Sequence, residues 1–260
     1  MKFNKVIVFF TISTVLSIIT RFFQINYTVD FKNGFFYQEY TGLGYFIIAF
    51  IFTFALITVL FSFSSHRRPK SPPSNSVFLG ICSFILALSI VFEAFNEFLL
   101  TSNNIQTLLF KVFGILAAVY FIALGLKQFI DIPLPNMLSL IPAVYVIFVI
   151  VLNFTAISSL ALITDNIFLL SAYCIVLLFF INFAKLYNAL ETEGNFKKLL
   201  ATGLSGSLLC FTQSIPHFII NIIHNNSYNH ISNISNLSLF AFGLFIITFI
   251  FKCFSKQNAE

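Results

Sequence analysis

Tryptophan is absent from this chain of 260 residues, and charged residues make up only 9 % of it. A soluble domain carries about 25 % charge, so the deficit excludes an ordinary water-soluble fold and points to lipid. The four cysteines, Cys82, Cys174, Cys210 and Cys253, make no CxxC or comparable spacing. They offer neither a disulfide framework nor a metal ligand set and read as small buried apolar residues. HExxH, phosphate-loop and dinucleotide fingerprints are missing too, so no metal and no cofactor is expected. The net charge of +5 comes from basic residues scattered between apolar runs. With no basic soluble module, a nucleic-acid partner is not expected.

What is present is hydrophobic length. Of all residues 58 % are hydrophobic, and phenylalanine alone occurs 38 times. The Phe excess, with abundant Ile, Asn and Lys, reads as AT-rich codon usage. Apolar runs of about 18 residues or more are candidate membrane spans. Eight are drawn here, at 5–23, 43–63, 77–100, 107–126, 137–157, 166–184, 199–223 and 237–254. The expectation is an all-α, polytopic transmembrane helical bundle forming one integral membrane domain over 1–260.

Basic residues near span ends mark the cytoplasmic side. With eight crossings, one side receives Lys2, Lys5, Arg67, Arg68, Lys70, Lys127, Lys185, Lys197, Lys198, Lys252 and Lys256; the other receives Arg21 and Lys32, with Lys111 slightly buried. This asymmetry predicts that both termini are cytoplasmic. The basic start and apolar run of 1–19 look like a signal sequence, but without a small-residue cleavage site they read as an uncleaved first span. The segment HRRPKSPPSNS (66–76) reads as a cytoplasmic linker with polyproline character. The longest exterior loops, 24–42 and 224–236, are too short for a core of their own. In the first of these, Lys32-Asn33-Gly34 reads as a tight turn, and the surrounding Phe and Tyr suit an interfacial belt. The five N-x-S/T sequons read as chance matches in an Asn-rich chain.

Against this background, ionisable groups inside spans stand out. Each costs about 2.5–3.5 kcal/mol at the bilayer centre on insertion scales and usually faces the bundle interior. In VFEAFNEFLL (91–100), Ser89, Glu93, Asn96 and Glu97 fall within an arc of roughly 100° on one side of the third helix. A hairpin turning near Asn103 brings Lys111 to a depth between the two glutamates, where an ion pair is natural. The seventh span carries a second seam of Gln213, Ser214, His217, Asn221 and His224. Gly203, Gly206 and Cys210 continue that face and allow close packing, while Pro216 should loosen the local backbone. Arg21 and Gln24 end the first span, Asn153 and Thr155 lie in the fifth, and Asp165 and Asn166 open the sixth. The expectation is one outward-facing polar pocket bounded by spans one, three, four, five and seven. Glu93, Asn96, Glu97, Lys111, Gln213, His217, Arg21 and Asn153 are its candidate ligand contacts.

GLSG at 203–206 has the form of an intramembrane serine-protease motif. That chemistry needs a histidine reaching the serine from a neighbouring helix. His217 sits on the same helix, roughly 18 Å further along, so packing glycines are the better reading.

RFFQINYTVDFKNGFF (21–36) follows the pattern R-x-x-Q, an acidic residue, then G-F-F; IPLPNML and NFTAISSLALITDNIFLLSAYCIVLLFFINFAKLYNAL (153–190) follow later. These stretches resemble a group of uncharacterised multipass proteins of clostridial-type Gram-positive bacteria. The resemblance implies a bacterial cytoplasmic membrane and no particular activity, and it singles out Arg21, Gln24, Asp30 and Gly34. Three functional classes fit these features. The first is a non-enzymatic accessory, sensory or structural membrane protein whose polar seams fix helix packing. The second is a secondary transporter or permease for a small polar solute or ion, with Glu93 or Glu97 as coupling carboxylate. The third, an intramembrane enzyme acting on lipid, lacks a nucleophile or metal constellation.

Overall fold

The computed structural model describes residues 3–30, 36–64, 76–100, 105–130, 134–157, 163–188, 190, 194–223 and 233–255, without side-chain detail at several helix ends, 96–100 included. Among these residues eight α-helices follow one another: α1 Phe3–Thr28, α2 Thr41–Phe63, α3 Val77–Leu100, α4 Ile105–Lys127, α5 Ile141–Ile157, α6 Ile163–Tyr187, α7 Asn195–Ile223 and α8 Asn233–Ser255. Each of the eight supplies a helical segment long and apolar enough to cross a membrane. A backbone in hydrocarbon must satisfy its own N–H and C=O groups, and helices do so within one segment. The chain is a multi-pass membrane protein.

Most helices run further than the sequence reading has them, while α5 begins at Ile141, after a 3₁₀ turn over Asn136–Leu140, rather than at 137. Helix α1 continues to Thr28, so Arg21 and Gln24 are helical and a turn apart rather than at the start of a loop. Many serines and threonines along the spans return their hydroxyls to the preceding turn, as Thr14 does to the Phe10 carbonyl at 2.8 Å and Thr58 to that of Phe54 at 2.8 Å. That back-bonding removes the penalty of a hydroxyl in lipid. Ser13 and Ser17 of α1, by contrast, are buried with no hydrogen-bond partner among the described residues. After α1 the chain makes an antiparallel bridge between Val29 and Phe36. The Phe36 side chain fills the space that a Cβ on Gly44 would need and meets Tyr45 edge-on at 5.5 Å. The expected turn at 32–34 and His224 lie outside the described residues.

Helices α3 to α8 close a ring in which α3 packs on α4, α4 on α5, α5 on α6, α6 on α7, α7 on α8, and α8 back on α3. Helices α1 and α2 pair with each other and lean on α7. The ring is filled by phenylalanine: Phe121 meets Phe245 at 5.2 Å, Phe180 meets Phe242 at 5.7 Å, and Phe183 meets Phe249 at 4.9 Å. All six are essentially inaccessible. Codon bias therefore does not exhaust the Phe content, since these rings are the core. Edge-on and offset pairs of this kind add about 0.5–1.5 kcal/mol each beyond area burial.

Helix α7 is the hub, with 20 of its 29 residues buried. Its glycines permit this. A Cβ on Gly206 would stand 3.3 Å from Ile175 of α6, and one on Gly203 would collide with Ile250 of α8. Helices adjacent in sequence alternate in direction, as the α1–α2 pair shows: Phe9 meets Phe61 at 4.6 Å at one end, and Gln24 reaches Gly44 at the other. This alternation gathers Lys5, Lys127, Lys185, Lys198 and Lys252 at the helix ends of one face, here called the Lys-rich face. Three cysteines are buried as expected, but Cys174 is exposed on the outer surface of α6; all four are free.

Candidate functional site

Toward the face opposite the lysines, three helices bring charge together. Arg21 of α1, Asp165 in the first turn of α6 and His217 of α7 are each no more than 1 % exposed. The Arg21 guanidinium donates through Nη2 to Asp165 Oδ1 and through Nη1 to Gln24 Oε1 at 2.5 Å. Gln24 in turn donates to the Gly44 carbonyl at 2.8 Å, which brings α2 into the same group. The guanidinium plane also lies over the Phe168 ring, 4.2 Å from its centroid, and Phe168 stacks on Phe52 of α2 at 5.4 Å. A desolvated cation over an aromatic face gains about 2 kcal/mol or more. Charge, fork geometry and ring together explain how an arginine can be wholly buried.

His217 Nε2 stands 3.3 Å from the same Asp165 oxygen and 3.2 Å from Gln213 Nε2. One ring nitrogen cannot serve both neighbours in one state. As an N–H it donates to Asp165 and leaves the Gln213 amide nitrogen facing a donor. As a lone pair it accepts from Gln213 and faces the carboxylate oxygen lone pair to lone pair. The imidazole tautomer and the Gln213 amide orientation are thus tied to each other, and Gln213 Oε1 is buried with no hydrogen-bond partner among the described residues. Pro216 precedes His217 within α7 and has no N–H, so the Thr212 carbonyl one turn back lacks its helical donor.

A second polar group lies deeper. Glu93 of α3 is buried, and its carboxylate accepts from the Tyr145 hydroxyl of α5 at 3.2 Å. Tyr145 and Tyr173 of α6 flank Phe242, and the Tyr173 hydroxyl shares a 3.1 Å hydrogen bond with Ser238 of α8. Tyr173 is eight residues along α6 from Asp165, or roughly 12 Å at the helical rise. The molecule therefore carries two polar tiers, an ionic one on α1, α6 and α7 and a hydroxyl–carboxylate one on α3, α5, α6 and α8.

The expected single pocket is corrected by this arrangement. Arg21, Gln213 and His217 do come together, but with Asp165 and without Glu93. Helix α3 packs on α4 and α8, whereas α7 packs on α1, α2, α6 and α8, so the two seams look into different interfaces. Helix α6, left out of the expected boundary, is the element common to both. Asn153 returns its amide to the Val149 carbonyl at 2.8 Å within its own helix. Lys111 is half-buried on α4, while the side chains of Asn96 and Glu97, and any pairing they make, lie outside the described residues. Ser205 of the GLSG sequence donates to the Ala201 carbonyl at 2.7 Å and is buried, consistent with packing rather than nucleophilic chemistry. Among the described residues no three of His, Cys, Asp and Glu converge as a metal site would need.

Two signals could have exposed the missed members. Arg21 is nearly alone as a cation on its side, so a buried counter-charge on the same side, Asp165, was the economical partner. Tyr145 and Tyr173 sit mid-span, where a buried phenol needs a hydrogen-bonding neighbour. Compared with known proteins, the chain matches no family, no curated protein and no solved structure.

Proposed function

We propose that this chain is a non-enzymatic accessory or sensory protein of a bacterial cytoplasmic membrane, oriented with its Lys-rich face inward. The observation that carries this is the mutual engagement of its most costly groups. Arg21, Gln24, Asp165 and His217 face one another at near-zero exposure, and Arg21 Nη1 and Nη2, Gln24 Nε2 and His217 Nε2 are directed to protein neighbours. A solute site needs donors and acceptors turned toward a solute. A staple between helices needs them turned toward each other. The sensory element of the proposal is the shared nitrogen of His217, whose two hydrogen-bonding roles give the α1–α6–α7 junction two discrete arrangements, the kind of bistability on which switches are built. The inward placement of the Lys-rich face rests on the bias of basic residues toward the cytoplasm.

The second class, a proton- or cation-coupled carrier for a small polar solute, draws on Glu93, a buried carboxylate in the half of α3 away from the lysines that accepts from the Tyr145 hydroxyl of α5. One experiment separates the two. Purified protein is reconstituted into liposomes with a trapped pH-sensitive dye, and the wild type is compared with Glu93→Gln and Asp165→Asn for both ion or solute flux and thermal stability. The staple reading expects wild-type flux at the level of empty liposomes and a marked loss of stability in Asp165→Asn. Wild-type flux that Glu93→Gln abolishes without loss of stability would overturn it in favour of a carrier.

A further inference from the structure

A cleft on the Lys-rich half of the molecule is independent of both polar tiers. Helices α2 and α6 each pack on α7, and the furrow between them encloses about 280 Å³. Val59 and Phe63 of α2 form one wall, Leu178 and Ile181 of α6 the other, and Ala201 of α7 lies in the floor. The Lys185 and Lys198 side chains also line it. Lys185 is two residues from the end of α6 and Lys198 is in the first turn of α7, so both basic residues belong to the end of the cleft at the Lys-rich face. Leu178 is nine residues from Tyr187, the end of α6, which places the far end of the cleft roughly 14 Å along the helix. That depth is about half of a 30 Å hydrocarbon core, or one leaflet.

The polar side chains inside the cleft are already satisfied. Asn182 donates to the Leu178 carbonyl at 2.8 Å and Thr202 to that of Lys198 at 2.7 Å. Among the described residues no carboxylate pairs with Lys185 or Lys198. The furrow thus asks for an occupant with an apolar body one leaflet long and an anionic head at the interface. We infer that it is a binding site for an anionic phospholipid of the Lys-rich leaflet, with the phosphate held between Lys185 and Lys198 and an acyl chain lying between α2 and α6. This inference does not depend on the staple proposed for the other half of the bundle.

The test is a lipid titration of the full chain in a neutral detergent, read by native mass spectrometry and by thermal shift, with phosphatidylglycerol against phosphatidylcholine. Phosphatidylglycerol is expected to bind and stabilise. Lys185→Gln/Lys198→Gln should weaken it by roughly tenfold or more, given the contribution of each Lys near an anionic surface, while Lys5→Gln/Lys252→Gln, which removes equal charge from the same face, should not. Leu178→Trp, which fills the cleft from an exposed position without removing charge, should also reduce binding. Equal binding of the two lipids, an equal loss in the control variant, or retention in the double-glutamine variant would each overturn the inference. Binding of soluble glycerol phosphate as tight as that of the lipid would overturn it too.

Discussion

Replacing Asp165 by Asn tests the ionic tier at its centre. Its Oδ1 is the shared acceptor for Arg21 Nη2 and for His217 Nε2, and all three side chains are buried. The amide keeps the volume and removes the counter-charge, while the guanidinium keeps its hydrogen bond to Gln24 and its place over the Phe168 ring. Breaking one partner of a buried pair costs about 3–5 kcal/mol, because the remaining charge is uncompensated. At roughly 2–4 °C per kcal/mol for chains of this size, the melting temperature should fall on the order of 10 °C. The second half of the prediction is the sharper one. Removing both charges, as in Arg21→Met/Asp165→Leu, should recover most of the loss, since an apolar pair of similar volume is often as stable as the ion pair it replaces. The assay is a thermal-unfolding double-mutant cycle in one detergent, where contacting residues show couplings of about 0.5–3 kcal/mol. Additive losses, with the double variant as unstable as the sum of the singles, would refute the reasoning: Arg21 and Asp165 would then act separately.

Two other variants probe the remaining structure. Tyr145→Phe deletes the donor to the buried Glu93 carboxylate and should cost about 1.5–3 kcal/mol, the worth of a hydrogen bond to a charged group; in a Glu93→Leu background the same change should have little further effect on melting temperature. Gly203→Leu drives a side chain into Ile250 of α8 and toward Phe179 of α6, whose nearest ring carbon would be 3.0 Å from the new Cβ. Overpacking of a filled core costs about 1–3 kcal/mol, so unfolding should shift down by several degrees, whereas Gly42→Leu, with nothing within 4 Å of its Cβ position, should leave it unchanged.

The eight spans were legible because the membrane imposes a length and an apolarity that the sequence displays directly. The polar seams were legible as faces: Gln213 and His217 do point inward, as do Ser89 and Glu93. Their partners were not, because helical periodicity says which residues share a side but not which helix that side meets. Glu93 and His217 lie at the same end of their helices by residue count, yet Glu93 meets α5 and His217 meets α6. The decisive residue, Asp165, reads in the sequence as one of several polar residues on that side, at the opening of the sixth span, and not as a site residue, since a first-turn aspartate is ordinary beside a helix N-terminus. Its burial follows from α1 leaning on α7 beside α6, which sets Arg21 on the first turn of α6. No local pattern carries that docking. The phenylalanines show the same limit in reverse, with composition alone assigning to codon usage rings that the fold gathers into its centre.

Arg21 and Asp165 touch inside the bundle. The chain has only three arginines (Arg21, Arg67 and Arg68) and three aspartates (Asp30, Asp131 and Asp165), which makes the contact directly measurable. With ¹⁵N-guanidinium arginine and ¹³Cγ aspartate incorporated, solid-state NMR of the protein in lipid bilayers should show a nitrogen–carbon dipolar coupling corresponding to a separation of about 4 Å or less, the range of a direct ion pair. The coupling should vanish in both Arg21→Met and Asp165→Asn. A spectrum without it, or one that survives either substitution, would contradict the account.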